Sequence, residues 1–251
     1  MKHYSFIIFY LCLNLFIYAF QGTIWVYIYC FILFSAVVVW GSFDITLGYF
    51  VNSILRKRTK IKEVALTFDD GPTEFTPKFL DLLKENNINA TFFCIGKQIE
   101  KHPETFQRII AEGHTIGNHT YSHSNNTGFL STSKMISEIQ KCDDVMLKTG
   151  NVKTNFYRPP FGVTNPNISK AVKKTHKKSI GWDVRSLDTV IQSEKKISDK
   201  VKKHLRKGSI ILLHDTSEKT YKVLFELLLF LKEKKYSTFT VDSIIYSENN
   251  V

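Results

Sequence analysis

The pattern of apolar and polar positions divides the chain into two unequal parts. The first part, residues 4–40, contains no Asp, Glu, Lys or Arg, and only Gln21 and Gly22 separate its two apolar stretches. Each stretch is just long enough to cross a bilayer as a helix, and a spanning backbone must form its own hydrogen bonds. The sequence therefore predicts a transmembrane helical hairpin with its turn at Gln21 and Gly22.

The first apolar stretch also fits a second interpretation, a cleaved signal peptide. No convincing small-residue cleavage site follows it and another apolar stretch begins at once, so an uncleaved two-span anchor is favoured. Lys2 precedes the hairpin, and the basic residues Arg56, Lys57 and Arg58 follow it at some distance. The positive-inside rule would place both ends of the hairpin in the cytoplasm. We predict a multi-pass protein of the cell membrane that contacts lipid through the hairpin, with the side of the following domain left open.

In the second part of the chain, short apolar runs alternate with helical patterns. The runs predict strands at 64–68, 90–94, 115–117, 155–158, 179–182, 209–213 and 237–240. Start signals and periodicity predict helices at 78–85, 103–113, 131–148, 167–175, 194–206 and 219–234. This alternation is typical of an α/β fold in which crossover helices join parallel strands.

Composition and charge suggest three segments. We predict an anchor at 1–41, a basic linker at 42–62 and one α/β domain at 63–251, which is long enough to bury its own core. The formal net charge is +11, and many lysines fall between residues 170 and 207. Solvated helix faces account for this charge, and attraction to an acidic polymer or to anionic lipid headgroups is the functional alternative. No nucleic-acid motif accompanies the charge, so we predict no nucleic-acid partner.

Polar residues with catalytic chemistry follow four of the predicted strands. They are Asp69 and Asp70 after the first strand, His119 and His123 after the third, Arg158 at the end of the fourth and His214 after the sixth. In parallel α/β folds the carboxyl ends of the strands gather on one side, where active sites form. Each piece alone fits a simpler explanation, such as turn residues, surface histidines or a surface ion pair. Their common position at strand ends favours a single site.

One carboxylate and two histidines of this set can form a three-ligand metal site. His119 and His123 stand four residues apart, which is a common zinc spacing, and Asp70 supplies the carboxylate. The glycine and asparagines around them allow a loop or short turn instead of a helix. A divalent cation, with Zn²⁺ as the first expectation, would acidify water and polarise a substrate carbonyl at this site.

The remaining residues can supply the proton transfers of hydrolysis. Asp69 is not needed as a ligand and can accept a proton, while Arg158 can hold it ionised and oriented. The N–H of Phe161 is a candidate to stabilise an oxyanion, because Pro160 has no N–H. His214 can protonate a leaving amine.

With these residues the sequence resembles the NodB-type polysaccharide deacetylases, carbohydrate esterase family 4, over residues 62–242. The family motifs TFDDGP, H-[ST]-x-x-H, R-P-P-[YF]-G and L-x-H occur at 67–72, 119–123, 158–162 and 212–214. The resemblance implies a distorted (β/α)7-type barrel, here preceded by the hairpin. It also implies a divalent metal ion, usually zinc, and the removal of acetyl groups from N-acetylated sugars.

The resemblance further implies a role for each matching residue. It assigns the metal to Asp70, His119 and His123, the general base to Asp69, the general acid to His214 and the positioning of the base to Arg158. It places Phe161, Leu212 and Trp182 in the oxyanion and substrate pocket.

The family motif D-x-x-D-W is altered in this chain. Arg185 stands at the first Asp and Thr189 at the Trp, whereas Asp188 matches the Asp that tunes the acid histidine. The catalytic role of the motif is therefore expected to survive. The change affects the expected substrate and leaves the expected reaction intact.

We predict a metal-dependent hydrolase that deacetylates N-acetylglucosamine units of a polysaccharide, either peptidoglycan or a chitin-like polymer. Three alternatives stay open. The enzyme would act on a lipid-linked sugar if the charge rule places the domain in the cytoplasm, and it would be an O-deacetylase if the polymer carries acetyl esters. A non-catalytic, membrane-anchored glycan-binding module is the third alternative, disfavoured because the ligands, the base and the acid are all present.

Overall fold

The computed structural model describes residues 2–244, beginning with two long apolar helices. Helix α1 covers Lys2–Ala19 and helix α2 covers Ile24–Phe43, and the ring of Phe34 on α2 lies 5.3 Å from Phe6 and 4.4 Å from Tyr10 on α1. No residue of α1 and only Gly41 of α2 is buried. Both helices are long and apolar enough to span a bilayer, criteria that a signal sequence also meets.

Eight parallel strands form the sheet that follows. They are β1 Glu63–Asp69, β2 Thr91–Cys94, β3 Thr115–Asn118, β4 Phe156–Tyr157, β5 Lys178–Ser179, β6 Val184–Arg185, β7 Ile210–His214 and β8 Ser237–Thr238. The strand order is β5-β4-β3-β2-β1-β7-β6, and β8 pairs with the start of β1. Within the described residues the end strands β5 and β6 do not pair with each other, so the sheet is a half-barrel. The predicted parallel α/β fold is confirmed, and β6 is the strand that the apolar pattern did not predict.

Seven helices connect the strands. They are α3 Thr76–Glu85, α4 Gly96–Lys101, α5 Pro103–Ala111, α6 Thr132–Gly150, α7 Pro166–Lys174, α8 Glu194–His204 and α9 Glu218–Glu233. Helix α4 is too short to give a periodic signal and was not predicted, whereas the other six were. The predicted cap of α7 forms, since Asn165 Oδ1 accepts a hydrogen bond from the Ile168 N–H at 2.9 Å.

The side chains of β1 alternate between two apolar layers. Leu66 and Phe68 pack under the helices, whereas Ala65 faces the concave side of the half-barrel together with Phe93 and Leu212. All seven residues of β1 are buried. Helices therefore cover the outer face, and the carboxyl ends of the strands open into the concave side.

The segment between the hairpin and β1 packs along the half-barrel. Ile45 and Val51 are buried, Ile54 forms a bridge with Ile180, and Arg56 forms one with Ser209. All of these contacts are made by the segment 42–62, which the sequence predicts as a basic linker.

The three-segment division of the chain stays a prediction. Its two outer limits, Met1 of the anchor and residues 245–251 of the α/β domain, lie outside the described residues.

Candidate active site

Every residue predicted for the site except Leu212, which is the middle residue of β7, lies at the carboxyl end of a strand or in the loop that follows it. Asp69 is the last residue of β1 and His214 is the last residue of β7. His119 follows β3 and Arg158 follows β4. The parallel arrangement brings these strand ends to one edge, so residues far apart in the sequence become neighbours.

Asp70, His119 and His123 lie together, and their ligand atoms are all within 4.8 Å of one another. Asp70 Oδ1 lies 3.5 Å from His119 Nε2 and 3.3 Å from His123 Nε2. Asp70 has a φ of 74° and His123 a φ of 46°, values that are uncommon outside glycine and that concentrate at functional sites. The two histidines lie in a turn after β3, not on a helix.

The chemistry of these three side chains fits a divalent metal ion. Asp70 Oδ1 is buried and has no hydrogen-bond partner among residues 2–244. His119 Nδ1 lies 2.8 Å from the Arg158 carbonyl oxygen; a proton on Nδ1 donates there and leaves Nε2 as a free ligand atom. Burial and the neighbouring His119 lower the pKa of His123 to about 4, which keeps this imidazole neutral at neutral pH. Burial raises the pKa of Asp70, but interaction with His119 and the charges of His123 and His214 hold it well below its usual value.

Asp69 is held by a fully buried arginine. Arg158 Nη1 donates to Asp69 Oδ1 at 2.7 Å and to Thr67 Oγ1 at 2.8 Å. The other guanidinium nitrogens donate to the carbonyl oxygens of Ile180 and Gly181 at 3.1 Å and 2.9 Å. Burial lowers the pKa of Arg158, and the ion pair with Asp69 opposes that effect. The orientation of the carboxylate is therefore fixed by a side chain that is itself anchored to the backbone.

His214 is held by a buried carboxylate on the opposite side of the site. Its Nδ1–H donates to Asp188 Oδ1 at 2.8 Å and its backbone N–H donates to Asp188 Oδ2 at 2.8 Å. Burial lowers the pKa of His214, but Asp188 outweighs it and raises the pKa to about 9. Its Nε2 lies 3.8 Å from Asp70 Oδ2. His214 is therefore protonated at neutral pH and directs its free N–H at the predicted metal ligands.

The three predicted pocket residues differ in exposure. Phe161 has a φ of 59°, and its ring lies 4.6 Å from the His123 ring and is 48% exposed. Trp182 and Leu212 are buried in the concave layer. Phe161 therefore lies beside a predicted metal ligand, whereas Trp182 and Leu212 belong to the buried apolar layer, and their role in a pocket stays a prediction.

Sequence reasoning missed several supporting residues. Ser186 Oγ donates to Asp188 Oδ1 at 2.8 Å and Thr220 Oγ1 donates to Asp188 Oδ2 at 3.0 Å. Asp215 is fully buried and accepts a hydrogen bond from the Thr76 hydroxyl. Burial raises the pKa of Asp215 to about 7. The sequence position of Asp215, directly after His214, could have identified it as a supporting residue. Nothing in the sequence links the hydroxyls of Thr76 and Thr220, which lie on helices far along the chain, to the site.

Asp215 also explains the glycine of the first motif. A Cβ at Gly71 would collide with the Asp215 carboxylate. The turn after Asp69 and Asp70 therefore needs a residue without a side chain, because the backbone approaches this buried carboxylate closely.

The altered motif lies at the edge of the same region. Arg185 on β6 is exposed, and its guanidinium carbon lies 5.8 Å from the centre of the Trp182 ring. It pairs in register with Leu212 of β7. Thr189 is exposed in the following loop.

Comparisons with known proteins agree with this architecture. A family model described as polysaccharide deacetylase matches residues 56–180. The chain is 41% identical over 155 residues to a peptidoglycan-N-acetylglucosamine deacetylase of Bacillus cereus, covering 61% of this chain and 56% of that protein. It is 30% identical over 213 residues to the peptidoglycan-N-acetylmuramic acid deacetylase PdaA of Bacillus subtilis, covering 80% of this chain and 81% of that one.

Solved structures give the same result for the fold. A peptidoglycan N-acetylglucosamine deacetylase in complex with a substituted N-oxidanyl-benzamide superposes with a TM-score of 0.72 at 34% identity, covering 76% of this chain and 92% of that one. A Bacillus anthracis protein described as a CE4 family pseudoenzyme superposes with a TM-score of 0.71 at 25% identity, covering 76% of this chain and 68% of that one. The predicted enzyme class, a hydrolase of carbon–nitrogen bonds, agrees with the names of the deacetylase relatives. The chain belongs to the polysaccharide deacetylase family.

Proposed function

We propose that this chain is a metal-dependent deacetylase that hydrolyses the N-acetyl group of N-acetylglucosamine units in peptidoglycan or a chitin-like polysaccharide. One observation carries the proposal. Asp69, held by Arg158, and His214, held by Asp188, face the same cluster of Asp70, His119 and His123. A base and an acid on either side of a metal-ligand set are the groups that amide hydrolysis requires.

The metal ion would be held by Asp70, His119 and His123. Zn²⁺ is the first expectation because two imidazoles and one carboxylate are a common catalytic zinc set with a position left for water. When bound, the ion supplies polarisation of the acetyl carbonyl and a water molecule of lowered pKa.

The protein's own residues would move two protons. Asp69 would take one proton from the attacking water as the C–O bond forms at the acetyl carbon. His214 would give its Nε2 proton to the sugar nitrogen as the C–N bond breaks, which releases acetate and a free amine. The Phe161 N–H, which donates to no described residue, would stabilise the oxyanion of the intermediate. Leu212 and Trp182 would line the pocket of the acetyl methyl group.

Acetate release by the full-length chain tests the proposal directly. The purified chain with added Zn²⁺ is incubated with chitooligosaccharides, peptidoglycan fragments and an O-acetylated polysaccharide. We expect acetate from the N-acetylated substrates, and a fall of about 10²–10⁴-fold in Asp69→Asn. Asp199→Asn is the matched control, because Asp199 is an exposed carboxylate whose partner is Lys195 on α8.

Metal content gives a readout that does not depend on turnover. We expect His119→Ala to lose stoichiometric zinc in elemental analysis, whereas His204→Ala, on the exposed end of α8, retains it. Full activity in Asp69→Asn, or full zinc content in His119→Ala, would contradict the assigned roles. Release of acetate from the O-acetylated substrate alone would replace the amidase with an esterase.

One of the structural neighbours is described as a pseudoenzyme, which supports keeping a non-catalytic glycan-binding module as an alternative. The fold alone does not imply activity, so the proposal depends on the intact ligand, base and acid residues. Binding of chitooligosaccharide without any release of acetate would favour the glycan-binding module.

We further propose that α1 and α2 anchor the protein as a two-span hairpin. No residue of α1 and only Gly41 of α2 is buried, and a lipid environment would cover the apolar surface that these helices leave exposed. A reporter fused after Val251 separates the two orientations. Activity of a reporter that works only outside the cytoplasm would favour a wall polymer, and activity of a cytoplasmic reporter would favour a lipid-linked sugar.

A further inference from the structure

A cavity lies where the hairpin meets the half-barrel. It has a volume of about 690 Å³, and its walls come from the start of α1, the segment 48–54, helix α7 and strand β5. Its lining contains five lysines and no acidic residue. No residue of the candidate active site contributes to it, so this cavity is a separate feature of the molecule.

Most of the positive charge in this cavity is uncompensated. Lys177 is paired with Asp143 at 2.7 Å and therefore has a structural partner. Lys2, Lys170, Lys173 and Lys178 form no ion pair with any acidic side chain among residues 2–244. A favourable helix dipole accounts for Lys173, in the last turn of α7. It does not account for lysines that converge from α1 and β5.

The cavity lies at the end of the hairpin that joins the domain. Lys2 Nζ donates to the carbonyl oxygen of Leu47 at 2.6 Å, just beyond the end of α2. The His3 ring lies 5.3 Å from Tyr49 and 4.6 Å from Phe50. The open ends of both helices are thus tied to the segment that lines the cavity. If the hairpin spans a bilayer, this level is the membrane surface on the domain's side.

We propose that this cavity binds the headgroup of an anionic phospholipid; the inference rests on the membrane anchoring proposed above. The four unpaired lysines would contact the phosphate. Tyr4, Tyr49 and Phe50 provide the aromatic surface that is enriched at the level of lipid headgroups. The cavity volume lies within the range of small-ligand sites. A lipid bound here would fix the half-barrel relative to the bilayer surface.

A lipid titration of the full-length chain in neutral detergent micelles tests this. Dioctanoyl phosphatidylglycerol is added, and bound lipid is counted by native mass spectrometry. We expect one lipid per chain, and a dissociation constant about 30-fold higher in the double variant Lys170→Gln/Lys173→Gln, since each lysine near a lipid surface contributes about 1 kcal/mol, which is roughly fivefold in the dissociation constant. The matched control, Lys200→Gln/Lys203→Gln, removes the same charge at the same spacing from α8 and is expected to bind as the parent does.

Three outcomes would overturn the proposal. Equal weakening in both double variants would indicate a diffuse attraction between charges. Equal binding of dioctanoyl phosphatidylcholine would remove the role of the lysines in selecting anionic lipid. Binding of glycerol phosphate as tightly as the lipid would identify a site for a soluble phosphate instead of a membrane component.

The lipid proposal and the deacetylase proposal fail in different experiments. Asp69→Asn is expected to lose acetate release and to keep lipid binding. Lys170→Gln/Lys173→Gln is expected to weaken lipid binding and to keep acetate release from a soluble oligosaccharide. Extraction of membranes with alkaline carbonate tests the anchor separately. Release of the chain by that treatment would overturn the anchor and, with it, a membrane lipid as the occupant.

Discussion

Each of the two sides of the candidate site contains an ion pair, but the acidic partner faces the site in one pair and the basic partner faces it in the other. On one side the carboxylate of Asp69 faces the cluster of Asp70, His119 and His123, and the cation Arg158 binds it from the opposite side. On the other side the imidazole of His214 faces the cluster and the carboxylate of Asp188 holds it. We call these the base side and the acid side. Which partner faces the cleft decides whether the pair is suited to accept or to donate a proton.

The two sides differ in how the holding residue is itself supported. Arg158 is completely buried, and besides Asp69 it donates to two backbone carbonyl oxygens and to the Thr67 hydroxyl. Asp188 is supported by the hydroxyls of Ser186 and Thr220. His214 keeps 16% of its side chain exposed, whereas Arg158 keeps none. We therefore expect the base side to contribute more to folding and the acid side to respond more to pH.

The largest effect on activity is expected from removing the proposed base, Asp69, and the proposed acid, His214. Asp69→Asn and His214→Asn should each lower kcat by about 10²–10⁴-fold, because each removes a group that we propose as a general acid–base catalyst. The double variant should be little worse than the more damaged single variant, because both groups act in one reaction. Steady-state acetate release measures all three. Multiplying losses would show that the two sides work independently.

The next effect is on stability and should separate the two sides. Arg158→Met leaves the Asp69 carboxylate buried and unpaired, which is expected to cost about 3–5 kcal/mol of the free energy of unfolding. Asp188→Asn should cost less, because His214 is partly exposed and can become neutral. Urea unfolding of the full chain in micelles measures both. Equal losses would contradict the difference in support described above.

A third prediction concerns the pH dependence of the acid side. The pKa of His214 is raised to about 9 against an ordinary value of 6.5. Its interaction with Asp188 therefore stabilises the fold fully below pH 6.5, and this contribution is lost as the pH rises through about 9. Activity should fall over the same basic range as His214 loses its proton. In Asp188→Asn this fall should move to lower pH, which a pH profile of kcat measures; an unmoved profile would contradict the role of Asp188.

The smallest effects are expected from single supporting hydroxyls. Thr67→Val removes one contact of Arg158, and Thr220→Val removes one contact of Asp188. Each should cost about 1 kcal/mol in the free energy of unfolding, the usual net value of one hydrogen bond. Only Thr220→Val should also shift the pH profile. If the pH profile shifted in Thr67→Val and not in Thr220→Val, the assignment of the pH-sensitive role to the acid side would be contradicted.

Much of the fold was predictable because its signals are local. Alternating apolar runs and capping residues predicted six helices and all but one of the strands. Strand β6 escaped because Val184 and Arg185 form no apolar run, and it exists only through pairing with β7. The packing of Ile45 and Val51 was also not predictable, since a semi-polar segment gains its burial from surfaces supplied elsewhere.

The sequence by itself determined the set of proposed catalytic groups and their positions near strand ends, because motif spacing and period-two burial are properties of short segments. The sequence also predicted that Arg158 holds Asp69 and that Asp188 acts on His214, but the tertiary structure decided the contacts through which they do so. Arg158 and Asp69 are 89 residues apart, and His214 and Asp188 are 26 apart. Their pairing depends on the order of strands in the sheet and on the low exposure that strengthens each ion pair. The same assembly created the basic cavity beside the hairpin, whose lysines come from segments that no single motif connects.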